Sequence, residues 1–206
     1  METKRVLIDE KTGERFLMEI KKLNNKHPKY NVAFVVGHHN KAKGFHSPII
    51  GDEYDFWFYY AQAYLKKLGK VFLHNENNSS YSGRQVEMAE KTKDFDLVFE
   101  LHFNAHNEHA EGAHAMYYAK STTGRMLAFK FTELMQKRMN IEQDYNFPVS
   151  SSSTRGGQFI LKQKPTALLL EPFFADNEND VNKFINNKEV FYTIIEDLIK
   201  EFYKIK

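Results

Sequence analysis

Histidine and carboxylate side chains recur in this sequence where short apolar runs stop. Val32–Val36 leads through Gly37 into His38, Leu97–Leu101 leads into His102, and residues 166–170 lead into Glu171. Glu53 opens a helical pattern after the loop at 37–52. Zinc-assisted hydrolysis needs three protein ligands, an open fourth position for water, and a nearby carboxylate to move protons. His38, Glu53 and His102 offer two imidazoles and one carboxylate, which leaves Glu171 free as general base. With no cysteine in the chain, any zinc site must be built from histidine and carboxylate. A single histidine after a strand is more often a hydrogen-bonded structural group, and the first turn of a helix attracts acids through its dipole alone. The convergence of several such residues on one predicted edge is what carries the reading. Spacing does not separate His38 from His39. His102 and His106 have the spacing of helical zinc ligands, but their segment reads as strand and loop, where that spacing has no geometric meaning. His39, His46, His106, His109 and His114 remain open as ligands, supporting groups or surface residues.

The elements that must position these groups alternate between strand and helix. Runs at 32–36, 97–101 and 166–170 are mostly apolar, as expected of central strands buried on both faces. Open α/β sheets place ligand sites at the carboxyl ends of such strands. Residues 70–73 and 115–119 read as further strands, and 158–161 as an edge strand. Helical spacing of Phe56, Trp57, Tyr60, Ala61, Tyr64, Leu65 and Leu68 predicts a helix from Glu53 that Gly69 stops. A capping box at residues 82–85 predicts a second helix, Ser121 caps a third, and a last helix begins near Asn187. Residues 141–157 form a long polar segment, expected to be a mobile rim. In the first thirty residues, 5–9 read as a short strand, 11–13 as a turn, and Phe16, Leu17, Ile20 and Leu23 fall on one helical face that Pro28 ends. The whole predicts a single-domain α/β layer fold.

Composition removes several function classes. Lys plus Arg is 29 against 27 Asp plus Glu, a net charge of +2 with no like-charge block, so nucleic acid is not an expected partner. No run approaches the length of a membrane span. The start of the chain is mixed and polar rather than a leader, so synthesis in the cytoplasm is expected.

Read in order, Val-Val-Gly-His-His-Asn (35–40), Gly-Asp-Glu (51–53), Glu-Leu-His-Phe-Asn-Ala (100–105), Gly-Ala-His-Ala-Met-Tyr-Tyr (112–118) and Ala-Leu-Leu-Leu-Glu-Pro-Phe-Phe-Ala-Asp-Asn (167–177) resemble the zinc-dependent N-acetylmuramoyl-L-alanine amidases of the type 3 family. The resemblance implies a twisted, mostly parallel six-stranded sheet with helices on both faces. It implies one Zn2+ on His38, Glu53 and His102, with Glu171 as catalytic glutamate, and so separates His38 from His39. It implies cleavage of the amide joining the lactyl group of N-acetylmuramic acid to L-alanine in bacterial peptidoglycan. Asn104 and Arg155 are candidate contacts to the muropeptide. The catalytic domain would span 31–206, with 1–30 as an extension that has no counterpart in the family pattern. A chain of this kind resembles a phage or prophage lysin, released by a separate membrane-permeabilising protein.

This sequence departs from the family at His39 and Asn40, where glycines are usual, at Glu100 for a serine, at His114 for an acid, and at Pro172. Two other readings use the same residues: a zinc peptidase or other amidohydrolase, and a non-catalytic wall-binding module.

Overall fold

Six strands form the central sheet: β3 (Val32–Val36), β6 (Lys70–Leu73), β7 (Leu97–Leu101), β8 (His114–Tyr118), β9 (Phe147–Val149) and β10 (Thr166–Glu171), in the spatial order β6-β3-β7-β10-β8-β9. The computed structural model describes residues 30–205 and, before them, only the backbone of β1 (Lys4–Ile8) and β2 (Arg15–Glu19). The first four strands in that order run parallel, β8 runs antiparallel to β10, and β9 is parallel to β8. The mostly parallel six-stranded sheet is as expected. β3 and β7 are buried at every position, which is why β3 reads as a continuous apolar run and β7 as one broken only by Glu100.

Side-chain alternation along these strands separates two cores. On one face Phe34, Phe99, Leu101 and Leu170 pack under α1 (Glu53–Ala63), α3 (Thr122–Met139), α5 (Glu178–Asn186) and α6 (Lys188–Ile205). On the other, Ala33, Val35, Val98 and Leu169 pack with Met88 of α2 (Tyr81–Thr92) and with Phe159 and Ile160 of α4 (Gly157–Lys162). Glu100 and His102 follow Val98 at intervals of two, so they continue this second face beyond its apolar part. Among the described residues no helix is long and apolar enough to cross a membrane.

Several local expectations change. Residues 158–161 lie in α4, not in an edge strand, because a short apolar run does not fix its own period. The edge strand is β9, inside the polar 141–157 segment, so that rim is partly tied into the sheet. Phe16 and Leu17 lie in β2, paired antiparallel with β1, rather than in a helix; Ile20, Leu23, the 11–13 turn and Pro28 fall outside the described residues. α2 is capped by Ser80, whose side chain accepts from the Gly83 N–H at 3.1 Å, two residues before the expected box. Ser121 caps α3 as expected, accepting from Gly124 at 2.9 Å. α5 was not expected; Asn177 caps it by accepting from the N–H groups of Asn179 and Asp180.

Candidate metal centre

All four parallel strands end at one edge of the sheet, and each hands over a polar side chain there. β3 leads to His38, β6 to His74, β7 to His102, and β10 ends in Glu171. β8 runs the other way, so its first residue, His114, arrives at the same edge in register with Glu171.

Glu53 comes from farther along the chain and must be folded back. The loop after β3 closes into a short antiparallel pair, β4 (His46–Ser47) with β5 (Gly51–Asp52), and α1 starts immediately after it. Buried Ser47 anchors this pair, donating to the Ala175 carbonyl at 2.5 Å and accepting from the N–H groups of Ile49 and Ile50, both at 3.2 Å. The Glu53 carboxylate is thereby buried, and its oxygens accept from the backbone N–H groups of Phe45 and Phe103, each at 2.9 Å. His38 Nε2 lies 3.2 Å from Glu53 Oε2, and His102 Nδ1 lies 2.9 Å from Glu53 Oε1. The ligand atoms of His38, Glu53 and His102 fall within 4.8 Å of one another.

Backbone conformation and missing side chains make room for this cluster. His38 adopts φ 62°, a left-handed conformation that costs a non-glycine residue about 1–2 kcal/mol. A Cβ on Gly44 would stand 2.4 Å from Glu53 Oε2 and 2.5 Å from His38 Cδ2; one on Gly37 would stand 2.4 Å from His102 Cε1. Both glycines keep space at the three ligands free.

The electrostatics ask for a cation. Burial opposes the charge on Glu53, yet hydrogen bonds from His102 and His38 hold its carboxyl far below the ordinary range. Burial opposes a proton on His102, yet hydrogen bonds to Glu100 and Glu53 push its pKa up to about 10. A site that draws a proton this strongly between carboxylates also favours a metal ion there. The donor set of two nitrogens and one oxygen suits zinc, and these residues fit it.

Beside this three-residue cluster opens a cleft of about 260 Å³, lined by His38, His102, Glu100, Glu171, Arg84 and Arg155, among others. Glu171 is buried at its edge, with Oε2 2.7 Å from His114 Nε2; His114 Nδ1 faces Asp144 Oδ2 at 3.0 Å. Burial opposes a proton on His114 as well, but the two carboxylates raise its pKa above the histidine norm. Arg155 stands exposed at the rim. Asn104 does not line the cleft: its amide nitrogen lies 3.3 Å from His114 Nδ1, and its Oδ1 accepts from the Ala105 N–H. His106 and His109 are exposed, and His46 pairs with Asp52 at 2.7 Å away from the ligands. His39 is buried beside His38, its backbone paired with Ala42.

One residue here escaped the sequence reading: His74 follows an apolar run just as His38 and His102 do, so the same signal was present. Glu100 stood out in the sequence only as a departure from the family; it sits inside a strand buried throughout, where glutamate is rare unless paired.

The family model for N-acetylmuramoyl-L-alanine amidase matches residues 32–199, which contain every one of these groups. Among solved structures the fold is similar to the catalytic domain of CD27L endolysin, which targets Clostridia difficile, with a TM-score of 0.65 and 20% identity over 82% of this chain and 96% of that one. It is similar to an N-acetylmuramoyl-L-alanine amidase from Clostridium difficile 630, with a TM-score of 0.66 and 17% identity over 88% of this chain and 100% of that one. It is also similar to the catalytic domain of CwlV from Bacillus (Paenibacillus) polymyxa var. colistinus, with a TM-score of 0.59 and 15% identity over 85% and 99%. At these identities the structures speak for the fold alone. Among curated protein sequences none matches the chain. The family match spans most of the chain, which therefore belongs to the N-acetylmuramoyl-L-alanine amidase family of peptidoglycan-acting enzymes.

Proposed function

We propose that this chain hydrolyses the amide between the lactyl group of N-acetylmuramic acid and L-alanine with one zinc ion held by His38, Glu53 and His102. The observation that carries the reading is the meeting of these three side chains, with His38 and His102 lining the same cleft as Glu171. A zinc ion there supplies Lewis acidity for the scissile carbonyl and lowers the pKa of water toward ~7. Glu171 is the proton carrier. Its carboxylate takes a proton from the attacking water as the carbon–oxygen bond forms, and delivers it to the nitrogen as the carbon–nitrogen bond breaks. His114 holds Glu171 through the 2.7 Å contact and is itself held by Asp144, so Glu171 keeps one orientation through both transfers. Arg155, at the open end of the cleft, is placed to meet a carboxylate of the stem peptide.

A lysin role is part of the same proposal. The chain would act on the wall after release by a separate membrane-permeabilising protein. Residues 31–206 would form the catalytic domain and residues 1–30 an extension.

Metal analysis and digestion of purified peptidoglycan, with and without a chelator, test the reading. Zinc near one equivalent, chelator-sensitive release and a free lactyl carboxylate are expected. A new peptide terminus alone would point to a peptidase, and wall binding without release to a binding module. Glu171→Gln should keep zinc and lose hydrolysis by a factor of about 10²–10⁴, the range for a lost general base; full activity in this variant would remove Glu171 from the mechanism.

A further inference from the structure

The Glu100 carboxylate is buried beside the cleft, yet nothing in the mechanism above uses it. Its side chain is 2% exposed. Burying a lone carboxylate is costly, so a buried glutamate needs partners. Glu100 has two, and both are histidines. Oε1 lies 2.9 Å from His74 Nε2, and Oε2 lies 3.4 Å from His102 Nε2. His74 is equally enclosed, at 3% side-chain exposure. His74, Glu100 and His102 thus form one line that ends at Glu53, because the other nitrogen of His102, Nδ1, faces Glu53 Oε1 at 2.9 Å.

Strand geometry makes this line. Glu100 and His102 are two apart and share the face of the sheet that α2 covers. β6 supplies His74 from the edge beyond β3, at the same sheet end.

A histidine that ligates a metal through one ring nitrogen needs its other nitrogen protonated and held. A carboxylate at that second nitrogen fixes the tautomer, orients the ring and makes the ligating nitrogen more basic. We propose that Glu100 is the positioning residue for His102, accepting from Nε2 so that Nδ1 is presented to the metal, and that His74 holds Glu100 in place by donating to its other oxygen. Neither residue touches substrate atoms in this role. The inference rests on the zinc reading of His38, Glu53 and His102 and deepens it: in this chain the metal centre has a second layer that begins two strands away.

Zinc affinity of the purified full chain, measured by competition with a chromogenic chelator, tests this without reference to catalysis. Glu100→Gln keeps shape and volume but loses the charge, and should weaken zinc about 10–100-fold. His74→Leu should weaken it in the same direction by a smaller factor. In the zinc-loaded protein, ring nitrogen-15 shifts of His102 should report a protonated Nε2 and a metal-bearing Nδ1, and Glu100→Gln should move the Nε2 signal. Circular dichroism separates misfolding from weakened binding, and Glu100→Asp, which restores the charge, should recover part of the affinity. A folded Glu100→Gln protein with zinc affinity within about twofold of the wild type, or a His102 that ligates through Nε2, overturns the proposal while leaving the metal centre standing. A wild-type chain that binds no zinc overturns both.

Discussion

At the scale of single residues, His114 decides how Glu171 is held, and it makes a prediction about pH. Its side chain is 7% exposed and sits between Glu171 and Asp144. The two carboxylates raise its folded pKa above the unfolded value of about 6.5 despite the cost of burial. A raised pKa means that the folded state holds the proton more tightly than the unfolded state. The stabilisation is then fully present below about pH 6.5 and is lost as pH rises through the higher folded value. His114→Gln removes the charge-assisted hydrogen bonds, worth about 1.5–3 kcal/mol at such a site. At this chain length that corresponds to about 2–4 °C of Tm per kcal/mol. Thermal unfolding of both proteins between pH 6 and pH 10 should show the widest gap at pH 6 and a narrowing gap above it. A gap that widens with pH would mean that His114 is held neutral.

At the scale of elements, the loop between β3 and α1 is built around two glycines with the same backbone twist and different surroundings. Gly44 has φ +81° and Gly51 has φ +79°. A Cβ on Gly44 would run into Glu53 and His38, whereas one on Gly51 would meet nothing within 4 Å. Alanine at either position carries the left-handed strain, about 1–2 kcal/mol. Gly44→Ala adds the clash to this shared strain and should therefore lose more stability in thermal unfolding than Gly51→Ala, and only Gly44→Ala should lose zinc in a titration of the purified protein. Equal zinc binding by the two variants would mean that the loop yields without disturbing the ligands. The sequence made this loop's start and finish legible, through the apolar run before Gly37 and the helical pattern after Asp52. It carried less of what lies between elements. The contact of His114 with Glu171 depends on β8 entering antiparallel beside β10, a pairing between residues far apart that no local pattern encodes. The helix at 157–162 was hidden for a different reason: its apolar stretch is shorter than two turns, so strand and helix periods fit it equally. His74 and Glu100 were readable as residue types but not as neighbours, since their meeting requires the strand order β6-β3-β7.

At the scale of the whole molecule, the site is held by an aromatic cluster around Trp57 that lies within the residues matched by the family, 32–199. Trp57 of α1 packs edge-on against Phe56, Tyr60 and Phe184, and lies about as close to Phe103, Phe173 and Phe191. Phe103 follows His102, and Phe173 follows Glu171 by two, so the aromatic cluster fixes α1, and with it Glu53, to the two strand ends that carry the chemistry. Tyr30 is tied to the rest of the fold: its N–H donates to the Leu68 carbonyl at 3.1 Å, and its ring stacks on Tyr203 with centroids 5.7 Å apart. Among the described residues, the groups at the site and the aromatic cluster around Trp57 all lie from Tyr30 onward. A chain lacking residues 1–28 should fold, bind zinc with unchanged affinity, and release the lactyl carboxylate at a rate within about twofold of the full chain, the range of a surface change near ±0.5 kcal/mol. Trp57→Ala, which leaves those residues in place, should do the opposite. It should cost about 3–5 kcal/mol through the cavity left in the cluster, and lower Tm by about 2–4 °C per kcal/mol. Thermal unfolding, zinc titration and peptidoglycan digestion on the two variants separate the alternatives. If the shortened chain loses its fold or its zinc, the first thirty residues belong to the catalytic domain, and its boundary lies before Tyr30.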